Sequence, residues 1–562
     1  MAISSKKRAS KQEYSSSNQC VLFKTPFTQH LDPTNRWVIL AQKIPWDIIV
    51  GVYQSRLHNK VTGASGINPR VAVGAIMIKH ITGCDDREVV MQIQESPYLQ
   101  FFLGLSCFTT EQLFDPSLFV EFRKRLGVNE INRINEQIVK LYHGGSVGRE
   151  PAPPPLKTEK DDCIELKTKE VNNRPENSNT MDSPEIKPDD SDQSQEGNKN
   201  DVADVLPKHE GKLIIDATAC PQDIRFPTDL DLLNDAREKS EELIDVLFNP
   251  DLFTTKKQKI KPRTYREKAR IIYLKTAQKK QKTKKEIRKA IKQQLNYLKR
   301  NLKHIDRLWA SYDQTATNGD KIPIPLDRYE YKYLLVIRTL YWQQLEMWQT
   351  KTHQIDHRIV SIHQPHVRPI VRGKTAAKVE FGAKLHVSLM NGFSFIEDLS
   401  WEAFNESSRL LDAVERYKKR FGYYPKEVLA DKIYCTRENR RRLKVIGIML
   451  KGKPLGKSKA VIDHVRPGER NPIEGVFGQA KAAYGLNRIK ARLAETSESW
   501  IASIIMVLNL VKLTRQVPYS LFQKCFAFSA RNFVFRLAGI PQFAYRSNPI
   551  ELNLNTDFFS RP

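Results

Sequence analysis

Apolar residues along this chain recur in two rhythms, separated by one long polar interval. From residue 20 to 144 the spacing is helical. Asn68-Pro69 predicts a helix start, a capping side chain followed by proline in the first helical position. Val71 to Ile81 then carry apolar residues at helical spacing, and Gly83 ends the run. A second helix is expected from about Asp86, and Pro97 opens another segment. Short helices joined by tight turns suit a helix-turn-helix-like DNA reader, or equally a helical packing domain.

Beyond residue 208 the rhythm changes. Leu213, Ile214 and Ile215 form a short continuous apolar run that delivers Asp216, as in a strand buried on both faces. Val379–Met390 and Phe393–Leu399 are strand-like, and Asn391-Gly392 between them predicts a hairpin with a type I′ turn. A helix follows, with Leu410, Val414, Tyr417 and Phe421 on one face and Gly422 as its stop. The run from Glu427 ends on Asp431, Thr436 caps a short basic helix through Lys444, and Ile448-Met449-Leu450 read as another buried strand. Strand with Asp, hairpin, helix, strand with Asp, helix, strand is the order of a ribonuclease H-like core. The first and fourth strands of such a core are neighbours, which would bring Asp216 and Asp431 together at one edge of the sheet.

A large insertion separates the first two core strands, about 240–365. Within it Ile287, Ile291, Leu295, Leu298, Leu302, Ile305 and Trp309 define one apolar face of a long helix. A second helix is expected from about Tyr331 to Trp348, giving a helical hairpin. Trp500 to Leu513 is the longest apolar stretch. It is shorter than the roughly 20 residues of a membrane span and is read as a buried helix.

Composition sharpens this picture. The chain has 562 residues, more than one ordinary domain, and a net charge of +27. Such an excess points to a polyanionic partner, because neutralised phosphates release counterions. The charge is uneven. Residues 256–303 hold 20 Lys or Arg against Glu267 and Glu286, whereas 145–208 carry 15 acids and 9 bases with few apolar residues. The first segment suits contact with a DNA backbone, Lys284, Lys285, Arg288 and Lys289 foremost. The second is expected to be a disordered acidic linker, and residues 1–19 a flexible basic arm. The seven cysteines are scattered with no C-x-x-C pair, which argues against a structural zinc and a disulfide framework. His353, His357, His363 and His366 are read as polar surface. No apolar leader follows the basic N-terminus, so a cytoplasmic protein, with no membrane partner, is expected.

The third candidate acid lies in Arg470-Asn-Pro-Ile-Glu474. Asn471 is a fit N-cap, Pro472 a fit first helical residue, and Glu474 then occupies the third position of a capping box. The plain reading is that Glu474 caps its helix. The chemical reading notes Lys481 two turns on and Arg470 just before. Three carboxylates suit two hard divalent ions, which activate the attacking oxygen and stabilise the leaving one in phosphodiester chemistry. Arg or Lys nearby can hold the substrate phosphate.

The phrases IIDATACPQDIRFPTDLDLLNDARE from Ile214, RPIVRGKTAAKVEFGAKLHVSLMNGFSFIEDLSWEAFNE from Arg368, YYPKEVLADKIYCTRENRRRLKVIGI from Tyr423 and RNPIEGVFGQAKAAYGLNRIKARL from Arg470 resemble the DDE transposases of prokaryotic insertion sequences, in the IS-four/IS-five superfamily. The helical region of about 20–130 resembles the N-terminal domain of that family. The resemblance implies that Asp216, Asp431 and Glu474 are the catalytic, metal-binding triad for two Mg2+ ions, with Mn2+ able to substitute. Of the family signature Tyr, Arg, Glu, Lys, this chain matches Arg470, Glu474 and Lys481 but has Pro467 in the tyrosine position. Arg470, Lys481, Arg488 and Lys432 are expected DNA contacts. The implied activity is cleavage at terminal inverted repeats and joining of 3′ ends to target DNA by a homodimer on paired ends. A nuclease of the same fold without strand transfer, or a transposase-derived DNA-binding protein without catalysis, remain alternatives. The expected architecture is α/β: a basic arm (1–19), a helical N-terminal domain for DNA ends (20–144), the acidic linker (145–208), a ribonuclease H-like catalytic domain with its helical insertion (209–516), and a C-terminal tail (517–562).

Overall fold

The computed structural model describes residues 31–57, 66–105, 108–142, 209–253, 255–256, 259–316, 323–371, 379–452 and 468–515. The expected arm, acidic linker and C-terminal tail, and Pro467, lie outside the described residues.

Helices α1 (Arg36–Lys43), α2 (Trp46–Gln54), α3 (Pro69–Thr82), α4 (Asp86–Glu95), α5 (Pro97–Phe102), α6 (Leu118–Arg125) and α7 (Val128–Tyr142) form the N-terminal region. Local chemistry sets their ends. The Asn68 side chain accepts from the Arg70 N–H at 2.9 Å, Pro69 takes the first turn, and Gly83 closes α3 in the left-handed conformation. Every side chain from Arg70 to His80 is buried. A helix covered on all faces belongs to a core, so α3 offers no recognition face to a DNA groove.

After this region come β1 (Lys212–Pro221), α8 (Asp229–Leu247), α9 (Arg266–Ala277), α10 (Lys284–Ala316), α11 (Arg328–Thr350), β2 (Arg368–Val371), β3 (Val379–Met390), β4 (Phe393–Ser400), α12 (Leu410–Phe421), β5 (Glu427–Leu429), α13 (Arg437–Val445), β6 (Met449–Lys451), α14 (Asn471–Ala483) and α15 (Ala494–Arg515). The strands make one mixed sheet. From β4 the order runs β3, β1, β5, β6, and β2 shares the outer edge of β3 with β4. β1 is antiparallel to β3 and parallel to β5, and β5 is parallel to β6. Asn391 and Gly392 both have positive φ, 47° and 79°, as the type I′ turn requires. β1 extends past Asp216 to Pro221, held by β3. Asp216 is therefore mid-strand rather than strand-terminal, because a full antiparallel partner outweighs the polar residues that follow the apolar run.

Helices α8 to α11 fill the insertion between β1 and β2, and they build a second core. Leu233, Ile244 and Leu247 of α8 pack with Leu298 and Ile305 of α10 and with Ile337 and Leu340 of α11. The expected two-helix hairpin is thus a bundle, and α8 begins at Asp229, ahead of the expected boundary near 240. Seven acids obscured its apolar face in the sequence. Arg237 of α8 is buried and neutralised by Glu241 at 2.6 Å.

α15 binds the N-terminal helices to the sheet. It is long and apolar enough to cross a bilayer by length and composition, yet all residues from Ile501 to Leu510 are buried. They pack against α3, α6, α7 and β4 within one continuous hydrophobic core. A buried polar knot fixes the junction. Asn509 donates to Asn135 of α7 at 2.7 Å and to the Ser394 carbonyl of β4 at 2.8 Å, and it accepts the Ser394 N–H at 2.8 Å. Each polar group there has its partner, so burial costs little and the register is fixed.

Candidate active site

Parallel pairing places the first two acids. The β1–β5 ladder runs Lys212–Glu427, Leu213–Val428, Ile214–Leu429. Asp216 and Asp431 each lie two residues past the last rung, so continuing the register would set them opposite one another. Beyond Leu429 the chain leaves the sheet in a 3-10 turn, Lys432–Tyr434, for which Asp431 is the cap, accepting the Lys432 N–H at 2.7 Å. The departure opens a crevice at the C-terminal end of a parallel strand, the usual location of ligand sites in such sheets.

Arg470 closes this crevice. Its Nη2 donates to Asp216 Oδ2 at 3.1 Å and its Nη1 to Asp431 Oδ1 at 3.2 Å. Asp216 is mostly buried, whereas Asp431 is more than half exposed. Burial pushes the Asp216 carboxyl up to about 6. The Ala217 N–H and Arg470 pull it down, while the Glu406 and Asp431 carboxylates add to the rise. One guanidinium thus leaves the charged form of Asp216 undercompensated.

Glu474 stands apart from this pair. α14 starts at Asn471 with Arg470 in the cap position, and no side-chain capping bond forms. The expected capping box is therefore absent, one residue of shift having removed its geometry. Glu474 is exposed, and among the described residues no hydrogen bond or ion pair reaches its carboxylate. Among the described residues, no three His, Cys, Asp or Glu side chains gather closely enough to hold a metal ion. Two of the three expected acids are brought together, and the third lies one helical turn beyond the arginine that joins them. The histidines of 353–366 each serve a local contact instead; His357, for example, pairs with Glu402 at 2.9 Å and His363 with the Tyr333 hydroxyl at 2.8 Å.

The expected basic contacts fall in two groups. Near the acids, Lys432 is exposed, Lys481 is half-buried on α14, and Arg488 pairs with Asp223 at 3.0 Å just past β1. On the insertion, Lys284, Lys285 and Lys289 are exposed on the first turns of α10, while Arg288 stacks over Trp348 at 4.5 Å.

A second ring of residues around the acids carries no local signal in the sequence. Glu406 begins a 3-10 turn after β4 and pairs with Lys384 of β3 at 2.9 Å. Its charge is felt at Asp216 and at the Tyr434 hydroxyl, which is fully buried; burial first and Glu406 second push that phenol above its ordinary range. His386 of β3 stacks on Tyr434 at 5.7 Å, wholly buried, with both ring nitrogens unpartnered. Asn405 caps the turn ahead of Glu406, accepting the Ser407 N–H at 3.1 Å, a local feature that carries no signal of proximity to Asp216.

The family described as transposase DDE domain matches residues 428–511, a span holding Asp431, Arg470, Glu474 and Lys481. The family described as transposase domain (DUF772) matches residues 25–125, covering α1 to α6. The two matches, to separate parts of the chain, support a DDE transposase of insertion sequences. The chain is also 33% identical over 116 residues to a Rhizobium meliloti protein named uncharacterized protein ORF8 in nfe locus. That stretch is 20% of this chain and about half, 53%, of the relative's length. No solved structure matches.

Proposed function

We propose that this chain is a metal-dependent DNA transposase with a ribonuclease H-like core, which cuts at the terminal inverted repeats of its element and joins the 3′ ends to target DNA. The observation that carries the reading is the pairing of Asp216 with Asp431 through Arg470 where β5 leaves β1. The strand order β4-β3-β1-β5-β6 and the parallel β1–β5 pairing support a ribonuclease H-like core.

The residues present fit a hard divalent cation. Asp216 and Asp431 offer only oxygen, and the raised carboxyl of Asp216 reports a buried anion that one arginine does not satisfy. Asp216 and Asp431 would hold magnesium, or manganese in its place, and Glu474 is the third carboxylate of this reading. Two bound ions would supply Lewis acidity at the attacking and leaving oxygens. The remaining work belongs to the chain. Arg470, released from the acids, holds the substrate phosphate through its planar fork. Lys481, Arg488 and Lys432 follow the backbone near the cut, and the exposed lysines of α10 hold flanking duplex. The domain assignment follows: residues 20–144 bind the ends, 145–208 link, 209–516 perform the chemistry, and a homodimer pairs two ends.

The test uses end-labelled element DNA with magnesium and three variants, Asp216→Asn, Asp431→Asn and Glu474→Gln. Cleavage should vanish in each while DNA binding persists. Cutting at the wild-type rate by any one of them removes that residue from the set.

A further inference from the structure

Helix α11 presents an apolar stripe that the described residues of its own bundle leave largely exposed. Tyr331, Leu335 and Trp342 are 46%, 48% and 65% exposed. With Arg338 they are spaced four, three and four residues apart, the repeat that keeps one seam of a helix facing a second helix. The opposite face of α11 is already committed, since Leu334, Ile337, Leu340 and Tyr341 are buried in the bundle core. Contiguous exposed aromatic and aliphatic groups on an otherwise polar helix mark a contact surface.

We propose that this stripe is an interface for a second copy of the chain, with the two α11 helices packed antiparallel about an axis between Arg338 and Thr339. That axis makes the surface self-complementary, as an isologous contact demands. Leu335 of each copy meets Trp342 of the other. Tyr331 and the neighbouring Lys332 meet Glu346, an opposite charge at each end of the seam. The residues on the axis suit the arrangement. Arg338 is paired with Asp306 of its own bundle at 2.5 Å, so two copies of it do not approach as bare cations. The Thr339 hydroxyl already donates to the Leu335 carbonyl at 3.1 Å, so covering it strands no polar group. Trp309 of α10, 6.0 Å from the Tyr331 ring, extends the apolar edge.

The interface rests on the homodimer of the proposed function but not on its metal site, and its test needs neither metal nor DNA. Sedimentation of the full, nuclease-treated chain at about 0.5 M salt should show a dimer, since salt screens the repulsion between two basic bodies. Trp342→Glu or Leu335→Glu should weaken the dimer at least tenfold while leaving the melting temperature of the dilute, monomeric chain nearly unchanged, because both side chains are exposed. Lys332→Glu and Glu346→Lys should each weaken it, and the double variant should recover to within about threefold of wild type. A monomeric wild type, an unchanged dimer in the Trp342 and Leu335 variants, or no recovery in the double charge swap overturns the proposal. So does a Trp342 variant that loses DNA affinity with its oligomeric state intact, which would assign the stripe to nucleic acid.

Discussion

Arg470 reaches Asp216 across 254 residues of sequence, its Nη2 donating to Oδ2 at 3.1 Å. The same guanidinium holds Asp431. Removing it leaves a mostly buried carboxylate beside a second acid with no cation between them. Arg470→Ala should lower stability by about 1–3 kcal/mol, the cost of an unsatisfied buried charged group. Divalent cations should restore more of that loss than they add to the wild type. Urea unfolding with and without magnesium measures both, and equal gains in the two proteins would deny that cation and arginine serve the same acids.

The raised Asp216 carboxyl makes the proposed metal binding a function of pH. Its folded value of about 6 exceeds its ordinary 3.8, so the folded protein keeps a proton that the unfolded chain releases. Stability from this group therefore falls as pH rises between about 4 and 6. A cation competes with that proton. Magnesium-induced thermal stabilisation should grow through pH 6 and level off above about 7, and Asp216→Asn should abolish the dependence. A magnesium shift that is flat from pH 5 to 8 in the wild type contradicts this.

His386 carries the opposite slope. Burial holds its ring down to about 3, with Arg416, Lys384 and Arg409 adding to the effect. The unfolded chain takes up a proton near 6.5 that the folded site refuses, so stability is intact above that value and declines as pH falls toward 3. Neither ring nitrogen has a hydrogen bond to lose. His386→Phe should keep the stack on Tyr434 and flatten the acid limb of the stability curve, read by thermal unfolding from pH 4 to 7. An unaltered limb would place the acid sensitivity elsewhere.

On α10 the exposed lysines and the stacked arginine should separate. Replacing Lys284, Lys285 and Lys289 with alanine should weaken duplex binding and reduce the slope of log affinity against log salt by about 3, near one unit for each phosphate left unneutralised. Arg288 is engaged with Trp348, whose indole N–H donates to the Arg288 carbonyl at 3.2 Å. Arg288→Ala should act chiefly on stability. Salt titrations of binding compare the two variants, and an unchanged slope in the triple variant would move the duplex off this helix.

Much of the frame was legible because its signals are local. Asn68 with Pro69, Gly83, Asn391-Gly392, Gly422 and Thr436 each fix a boundary through a cap or a left-handed residue, and each behaves as its chemistry dictates. The neighbourhood of Asp216 and Asp431 followed from strand order alone. What failed to show was whatever depends on distant partners. The acid-rich α8 reads as solvent-exposed until α10 and α11 are laid beside it. The length of β1 depends on β3. The position of Glu474 turns on a one-residue difference in where α14 begins, which neither Asn471 nor Pro472 decides. Glu406 and His386 sit near the acids only because β3 and its following turn return there.

The burial of α15 among helices from the opposite end of the chain has a practical meaning. A protease that cuts between Tyr142 and His209 would nick one body, not free two. The halves should stay together through gel filtration and melt in a single transition, since parting them would bare to water the face of α15 that packs on α3, α6 and α7. Any attempt to express the acid-bearing half by itself should yield aggregate, and co-expression of its missing half should return it to solution.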